Sequence, residues 1–91
     1  MDEPIIASTP DEIREWSIHC LAEGLHRPGV EGVARLIFME EGVIHKIMIF
    51  PGISWAMDAT YKDVRRVHYF TKPEFRRRGY ARRLYEMMNS L

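Results

Sequence analysis

Residues 64 to 88 read VRRVHYFTKPEFRRRGYARRLYEMM, and the apolar pattern changes period half-way along. Up to Thr71 the stretch is rich in β-branched and aromatic residues, which predicts a strand over 64–71. Pro73 stops it. From Arg78 onward Ala81, Leu84, Tyr85 and Met88 recur at helical spacing, which predicts a final helix with one apolar stripe. Such a helix is stable only when its stripe is covered, and the strand just before it is the nearest surface. The chain is therefore committed to helices layered on a sheet.

Upstream, STPDEIREWSIHCLAEGL carries a complete helix start. Thr9 suits the N-cap, Pro10 the first helical position, and Glu12 closes a capping box with Thr9. Asp11 and Glu12 complement the dipole, while Ile13, Trp16, Cys20 and Leu21 share a face and Gly24 stops the helix. PIIA, residues 4–7, precedes it as a short strand. HRPGVEG is a turn-rich connector. ARLIFM and VIHKIMIF flank EEG, which predicts a hairpin with glycine at its left-handed position. A helix over 30–41 is the competing reading, because Val33, Leu36, Ile37 and Glu40 also fit its period. Pro51-Gly52 ends the second strand, and ISWAMDATYKD reads as a loop or a short strand. The expected class is α/β, α+β in its layering: one domain over residues 1–91 with a mixed, mostly antiparallel sheet of three or four strands packed with two or three helices.

At 91 residues the chain has room for one core only. Its hydrophobic content of 46% belongs to a packed globule rather than a disordered chain. No apolar run reaches the roughly 18–20 residues that span a bilayer. The acidic opening MDEPIIASTPDEIREW lacks the charged-then-apolar form of a secretory signal. Cys20 is the single cysteine, which excludes a disulfide framework, and His19, His26, His45 and His68 show no metal-ligand spacing. The expectation is a cytoplasmic protein without a metal.

Zero net charge conceals a split. Residues 1–45 hold nine acids against three arginines, whereas residues 46–91 hold three lysines and seven arginines against four acids. A basic C-terminal half points to an anionic ligand or nucleic acid. Its focus is Arg76-Arg77-Arg78-Gly79. Where a strand turns through glycine into a helix, several backbone N–H groups lack partners and point outward together. The helix dipole adds about half a positive charge there. Each cation in that first turn costs a few tenths to about 1 kcal/mol against the dipole. The arginines at 76, 77, 78, 82 and 83 make sense around a polyanion, and phosphate is the natural match for the guanidinium fork.

These residues resemble the acyl-CoA-binding motif of the GNAT N-acetyltransferase superfamily, Gln/Arg-x-x-Gly-x-Gly/Ala between that family's fourth strand and the next helix. Arg76, Gly79 and Ala81 stand at its three fixed positions. The lead-in, a hydrophobic strand followed by TKPEF, is similar, as is the upstream order from first strand through capped helix to the MEEGVI turn. The resemblance implies that the amides of Arg77, Arg78, Gly79, Tyr80 and Ala81, headed by Arg76, cradle the pyrophosphate of acetyl-CoA. It also implies that the strand edge around Phe70 and Thr71 hydrogen-bonds the pantetheine arm. It covers the first half of the family's fold. A fifth strand, a helix bearing the tyrosine that protonates the leaving thiolate, and further strands would follow in the family, whereas this sequence stops at Leu91. What it implies here is a truncated GNAT-like fold. Strand 64–71 is then left with an edge that a homodimer mate or another protein covers. His68, with Asp63 behind it, is the candidate base for deprotonating an amine.

Three functions compete. One is an acetyltransferase-like protein completed by dimerisation or a partner. Another is a non-catalytic derivative acting as a protein-interaction module, of the kind a phage or mobile element directs at a host enzyme. The third is a nucleic-acid binder using Arg65, Arg66 and the helix arginines on backbone phosphate. Against the third stands the narrow basic face that the last helix's apolar spacing leaves. His19 and Cys20 adjoin in sequence but diverge by about 100° on a helix, so they form no nucleophile–base pair. Trp16 and Trp55 read as packing anchors, with Trp55 also able to line a pocket.

Overall fold

The structure, a computed structural model of the chain, describes residues 3–24 and 41–90. Its elements are β1 (Ile5–Ala7), α1 (Pro10–Gly24), β2 (Gly42–Phe50), β3 (Ser54–Tyr61), β4 (Val64–Thr71), a 3₁₀ turn (Pro73–Phe75) and α2 (Tyr80–Ser90). The strands lie in the order β1-β2-β3-β4. Every neighbouring pair is antiparallel, so among the described residues the sheet is not mixed. The layered α+β class holds. The connector HRPGVEG, the ARLIFM strand and the competing helix over 30–41 lie outside the described residues, while VIHKIMIF forms β2.

Helix α1 starts as its sequence dictates. The Glu12 N–H donates to Thr9 Oγ1 at 3.3 Å, and the Glu12 carboxylate accepts the Thr9 hydroxyl at 2.8 Å and the Thr9 N–H at 3.2 Å. The helix then lays Ile13, Trp16 and Cys20 on one face of the sheet, against Ala7, Ile47, Ile49, Trp55, Met57 and Phe70. Helix α2 covers the opposite face, where Leu84 and Met88 meet Met48, Phe50 and Ala56. The sheet is thus the middle layer of three, with a core on either side.

That arrangement explains the least legible segment. Residues Ser54 to Ala59 are buried without interruption, because β3 lies between β2 and β4 and has a helix on each face. A strand buried on both faces shows no apolar–polar alternation, and Ala56, Asp58 and Ala59 have weak strand propensity. What reads as a loop or short strand is an eight-residue central strand. Trp55 belongs to it as a core residue 2% exposed, stacked on Phe70 with ring centroids 5.7 Å apart, and lines no described cavity. The final helix also departs from expectation. It begins at Tyr80, because Gly79 at φ +84° is not helical. Its inward face is Leu84 and Met88 with Tyr80 and Met87, whereas Ala81 and Tyr85 face outward.

Strands β3 and β4 are joined by a two-residue turn, Lys62 at φ 51° and Asp63 at φ 63°, the left-handed pair that suits the twist of a hairpin. Near it Asp58, 7% exposed on β3, accepts the Arg65 Nε and Nη2 hydrogen bonds at 3.0 and 2.7 Å. That grip from Arg65, against the opposing effect of burial, holds the Asp58 carboxyl below its ordinary 3.8. A carboxyl depressed on folding contributes stability that is full above its unfolded value and lost as pH falls through the folded one. Asp58→Asn is therefore expected to lower the thermal midpoint at neutral pH, with the gap to wild type closing as pH drops below about 3.8. Thermal unfolding followed across that range checks it, and a gap that persists in strong acid contradicts the charge-based origin.

Candidate functional site

The segment between β4 and α2 is held at both ends. At its root the Lys72 N–H donates to the Ile53 carbonyl at 2.9 Å, and the Lys72 ammonium lies 3.9 Å from the Glu23 carboxylate of α1. The fully buried Ser54 hydroxyl donates to the Phe70 carbonyl at 2.7 Å and sits 2.8 Å from the Thr71 hydroxyl, fixing the last turn of β4. Pro73 opens the 3₁₀ turn, closed by the Phe75 and Arg76 N–H groups on the Lys72 and Pro73 carbonyls. At the far end Tyr80 wedges edge-on between Phe50 (5.3 Å) and Phe75 (6.1 Å), which seats the first turn of α2 on the sheet.

Between these anchors the backbone reverses hand twice. Arg76 is extended, Arg77 sits at φ 63° and Gly79 at φ +84°. Left-handed residues interspersed with ordinary ones turn successive N–H groups toward one side, the concavity that holds anions. The helix's first backbone bond runs from the Arg83 N–H to the Gly79 carbonyl at 3.0 Å, and the turn through Arg76 and Arg77 closes on the Arg78 N–H, while among the described residues no backbone acceptor takes the N–H groups of Arg77 and of residues 79 to 82. They border an open cleft of about 260 Å³ lined by Thr71, Arg76, Arg77, Gly79, Tyr80 and Ala81 among others. That is smaller than the roughly 300–1,000 Å³ of pockets enclosing a whole drug-sized ligand, so it suits one part of a larger molecule. A Cβ added at Gly79 would meet nothing within 4 Å. The glycine therefore serves its left-handed backbone and leaves the approach to the amides clear.

The arginines divide into two groups. Arg82 pairs with Glu86 at 3.2 Å along the helix, and Arg83 with Glu3 at 3.0 Å, so both are compensated by acids. Arg76 donates to the Thr71 carbonyl at 3.3 Å, and the Arg78 guanidinium lies 5.7 Å from the centre of the Phe75 ring. Arg77 has no hydrogen-bond or ion-pair partner among the described residues. The uncompensated charge therefore rests on residues 76 to 78, of which Arg76 and Arg77 line the cleft. A left-handed conformation costs a non-glycine residue about 1–2 kcal/mol, so Arg77 is held there at some expense.

The other expected site residues are placed differently. A two-residue turn makes Tyr61 and Val64 a hydrogen-bonded pair, so the alternation points the N–H and C=O of residues 64, 66, 68 and 70 at β3. Those of Arg65, Val67, Tyr69 and Thr71 point away, to the edge. Thr71 thus offers an edge amide to the cleft, but Phe70 does not: its backbone is turned to β3 and its ring is packed under α1. His68, half-buried, pairs across from Met57 on the α1 face, away from α2. Burial, then the Arg66 charge, keeps its pKa below 6.5. Asp63 is not behind it. It lies in the turn at the other end of β4, five residues off and about 16 Å along the strand. Burial, with Glu23 beside it, pushes the Cys20 thiol up to about 12, so this cysteine is no nucleophile. Ser54, which shapes the site, carried no sequence signal of that role, and Tyr80 was expected there for its amide and not for the ring that wedges α2 onto the sheet. The periodicity of β3 that would have exposed Ser54 is erased by its two-sided burial.

No protein-family model, curated protein or solved structure matches the chain. Among the described residues no helix is long and apolar enough to cross a membrane. If residue 77 is held left-handed for binding rather than for folding, Arg77→Gly separates the two. It is expected to raise the unfolding free energy by about 1 kcal/mol while weakening anion binding. Chemical denaturation and a ligand titration on the same variant measure both, and a variant that loses stability contradicts the assignment.

Proposed function

We propose that the turn 76–79 and the first turn of α2 bind the diphosphate of an acyl-CoA-type cofactor, making this an acetyltransferase-like, acetyl-CoA-binding domain. The reading is carried by one observation: the N–H groups of Arg77 and of residues 79 to 82 have no backbone acceptor and border an open cleft beside the uncompensated Arg76 and Arg77. A diphosphate satisfies all of these at once, through charge-assisted bonds to amides and guanidinium forks. The outward N–H of Thr71 is placed to take the first amide of the arm that follows. Bound acyl-CoA would supply a thioester, an acyl group activated toward amines.

Binding and transfer are separate claims. The cleft lining holds arginines, Thr71, Phe75, Tyr80 and small residues, with no carboxylate or imidazole. His68, the expected base, sits on the other face of the sheet. That favours a module that holds the cofactor and gains an acid–base pair, where transfer occurs, from whatever strand completes the sheet along β4. The same lining supports the second reading, an interaction module that keeps the anion site without the chemistry. A nucleic-acid interface is less well supported, because Arg65 is neutralised by Asp58 and Arg82 and Arg83 by their own acids.

Calorimetry with acetyl-CoA tests the binding claim, with inorganic pyrophosphate as competitor and an Arg78→Glu/Gly79→Asp variant, its fold checked by circular dichroism, as control. Saturable micromolar binding is expected. Loss of charge-assisted bonds worth about 1.5–3 kcal/mol each should weaken it by about tenfold or more in the variant. Absence of heat at millimolar acetyl-CoA overturns the cofactor reading.

A further inference from the structure

Strand β4 pairs with β3 over its whole length, eight residues without a register break, and has no neighbour on its other side among the described residues. Edges of that length are ordinarily blunted by a proline, a bulge or an inward charge. Val64 to Thr71 contains no proline, and the sheet's one described irregularity is in β2, between Ile44 and Lys46. The charge of Arg65 is cancelled by its two-pronged bond to Asp58. The N–H groups of Arg65, Val67 and Tyr69 point outward along this edge. Beside it on the α2 face runs an aromatic shelf, the Tyr69 ring 6.4 Å from that of Tyr85, which is 58% exposed.

We propose that β4 pairs antiparallel with β4 of a second copy of this chain, about a two-fold axis through Val67, fusing two four-stranded sheets into one. The proposal does not depend on what occupies the arginine cleft.

The choice of occupant and register follows from parity and charge. Outward groups belong to odd-numbered residues, so a two-fold pairing can centre on residue 66, 67 or 68 with most of the strand engaged. A centre at 66 sets Arg66 against the partner's Arg66, two uncompensated like charges directly opposed. A centre at 68 pairs Arg65 with the partner's Thr71, whose carbonyl is already taken by Arg76. The centre at Val67 has neither conflict. It puts the planar Arg65 guanidinium, held by Asp58, beside the partner's Tyr69 ring on the α2 face, a stacking contact made twice. Arg66 then faces the partner's His68, which is neutral near pH 7 and able to accept a hydrogen bond. The two α2 helices seat over β3 and β4, so strand spacing of about 4.8 Å leaves their axes roughly 10–14 Å apart. That exceeds the 8–10 Å of direct helix packing, and the two Tyr85 rings project into the gap. The Thr71 N–H lies beyond the last pair and stays open to the cleft. An unrelated partner strand would require no such self-complementarity.

Sedimentation of the full chain is expected to give twice the 10.7 kDa monomer mass at micromolar concentration, without ligand. Val67→Pro removes an outward N–H, and with it the packing of the Val67 side chain on the α2-side core, so its fold is checked by circular dichroism; it should yield a folded monomer, and Tyr85→Arg should weaken the dimer without touching the strand. For the register, residues 66 and 68 of opposite chains form a non-hydrogen-bonded pair with Cα atoms about 4.5 Å apart, within disulfide range. Arg66→Cys/His68→Cys should crosslink two chains under mild oxidation while neither single variant does. Cys20, fully buried, stays out of the reaction. A chain monomeric at all concentrations, one that pairs only with a strand of another protein, a dimer unaffected by Val67→Pro, or crosslinking by either single variant overturns the proposal. Because the readout is mass without ligand, its failure is distinguishable from failure of the cofactor reading.

Discussion

Everything in this fold is referred to β3. A strand with two neighbours and a helix on each face makes one chain segment the shared wall of both cores, so α1 and α2 cannot shift independently of it. It also carries the two polar contacts that hold β4 in place. Asp58 grips Arg65 near the hairpin turn, and Ser54 bonds the carbonyl of Phe70 and the hydroxyl of Thr71 at the other end. Both are buried, and a buried hydroxyl or carboxylate without its partner costs a few kcal/mol, so neither end of β4 moves cheaply. The arginine turn inherits that rigidity.

The turn needs such a mount because its conformation is unfavourable in isolation. Arg77 lies in a region that side-chain-bearing residues avoid, and the cations at 76 to 78 gather at the positive end of a helix. Tyr80 clamped between two phenylalanine rings, and Arg83 tied to Glu3 across the chain, keep the helix start where the strain is greatest. Local strain and like-charge crowding held in place by the surrounding packing are features that cluster at functional sites. The amides and arginines that border one open volume are the basis on which we propose a multiply charged, oxygen-rich ligand.

Sequence made the local features legible and hid the relational ones. The capping box of α1 was readable because Thr9 and Glu12 interact within one turn, and Gly79 because a glycine between a strand pattern and a helix pattern marks the turn from one to the other. Strand β4 was readable from its β-branched and aromatic run. Strand β3 was not, since burial on both faces removes the alternation by which strands are recognised. The outward turn of Tyr85 depends on which side of α2 meets the sheet, and the separation of His68 from Asp63 depends on strand extension. The exchange of Phe70 for Tyr69 among the edge residues depends on hydrogen-bond parity set by the length of one turn. None of these is a property of single residues.

The most direct measurement is a titration of ¹⁵N-labelled protein with acetyl-CoA followed residue by residue through the backbone amide resonances. If the amides converge on the cofactor's diphosphate, those of Arg77 to Arg82 shift most and saturate together, with Thr71 following. Large shifts spread over Arg65, Arg66 and other surface cations, with those amides unmoved, would contradict it and leave the glycine turn as a structural connection only.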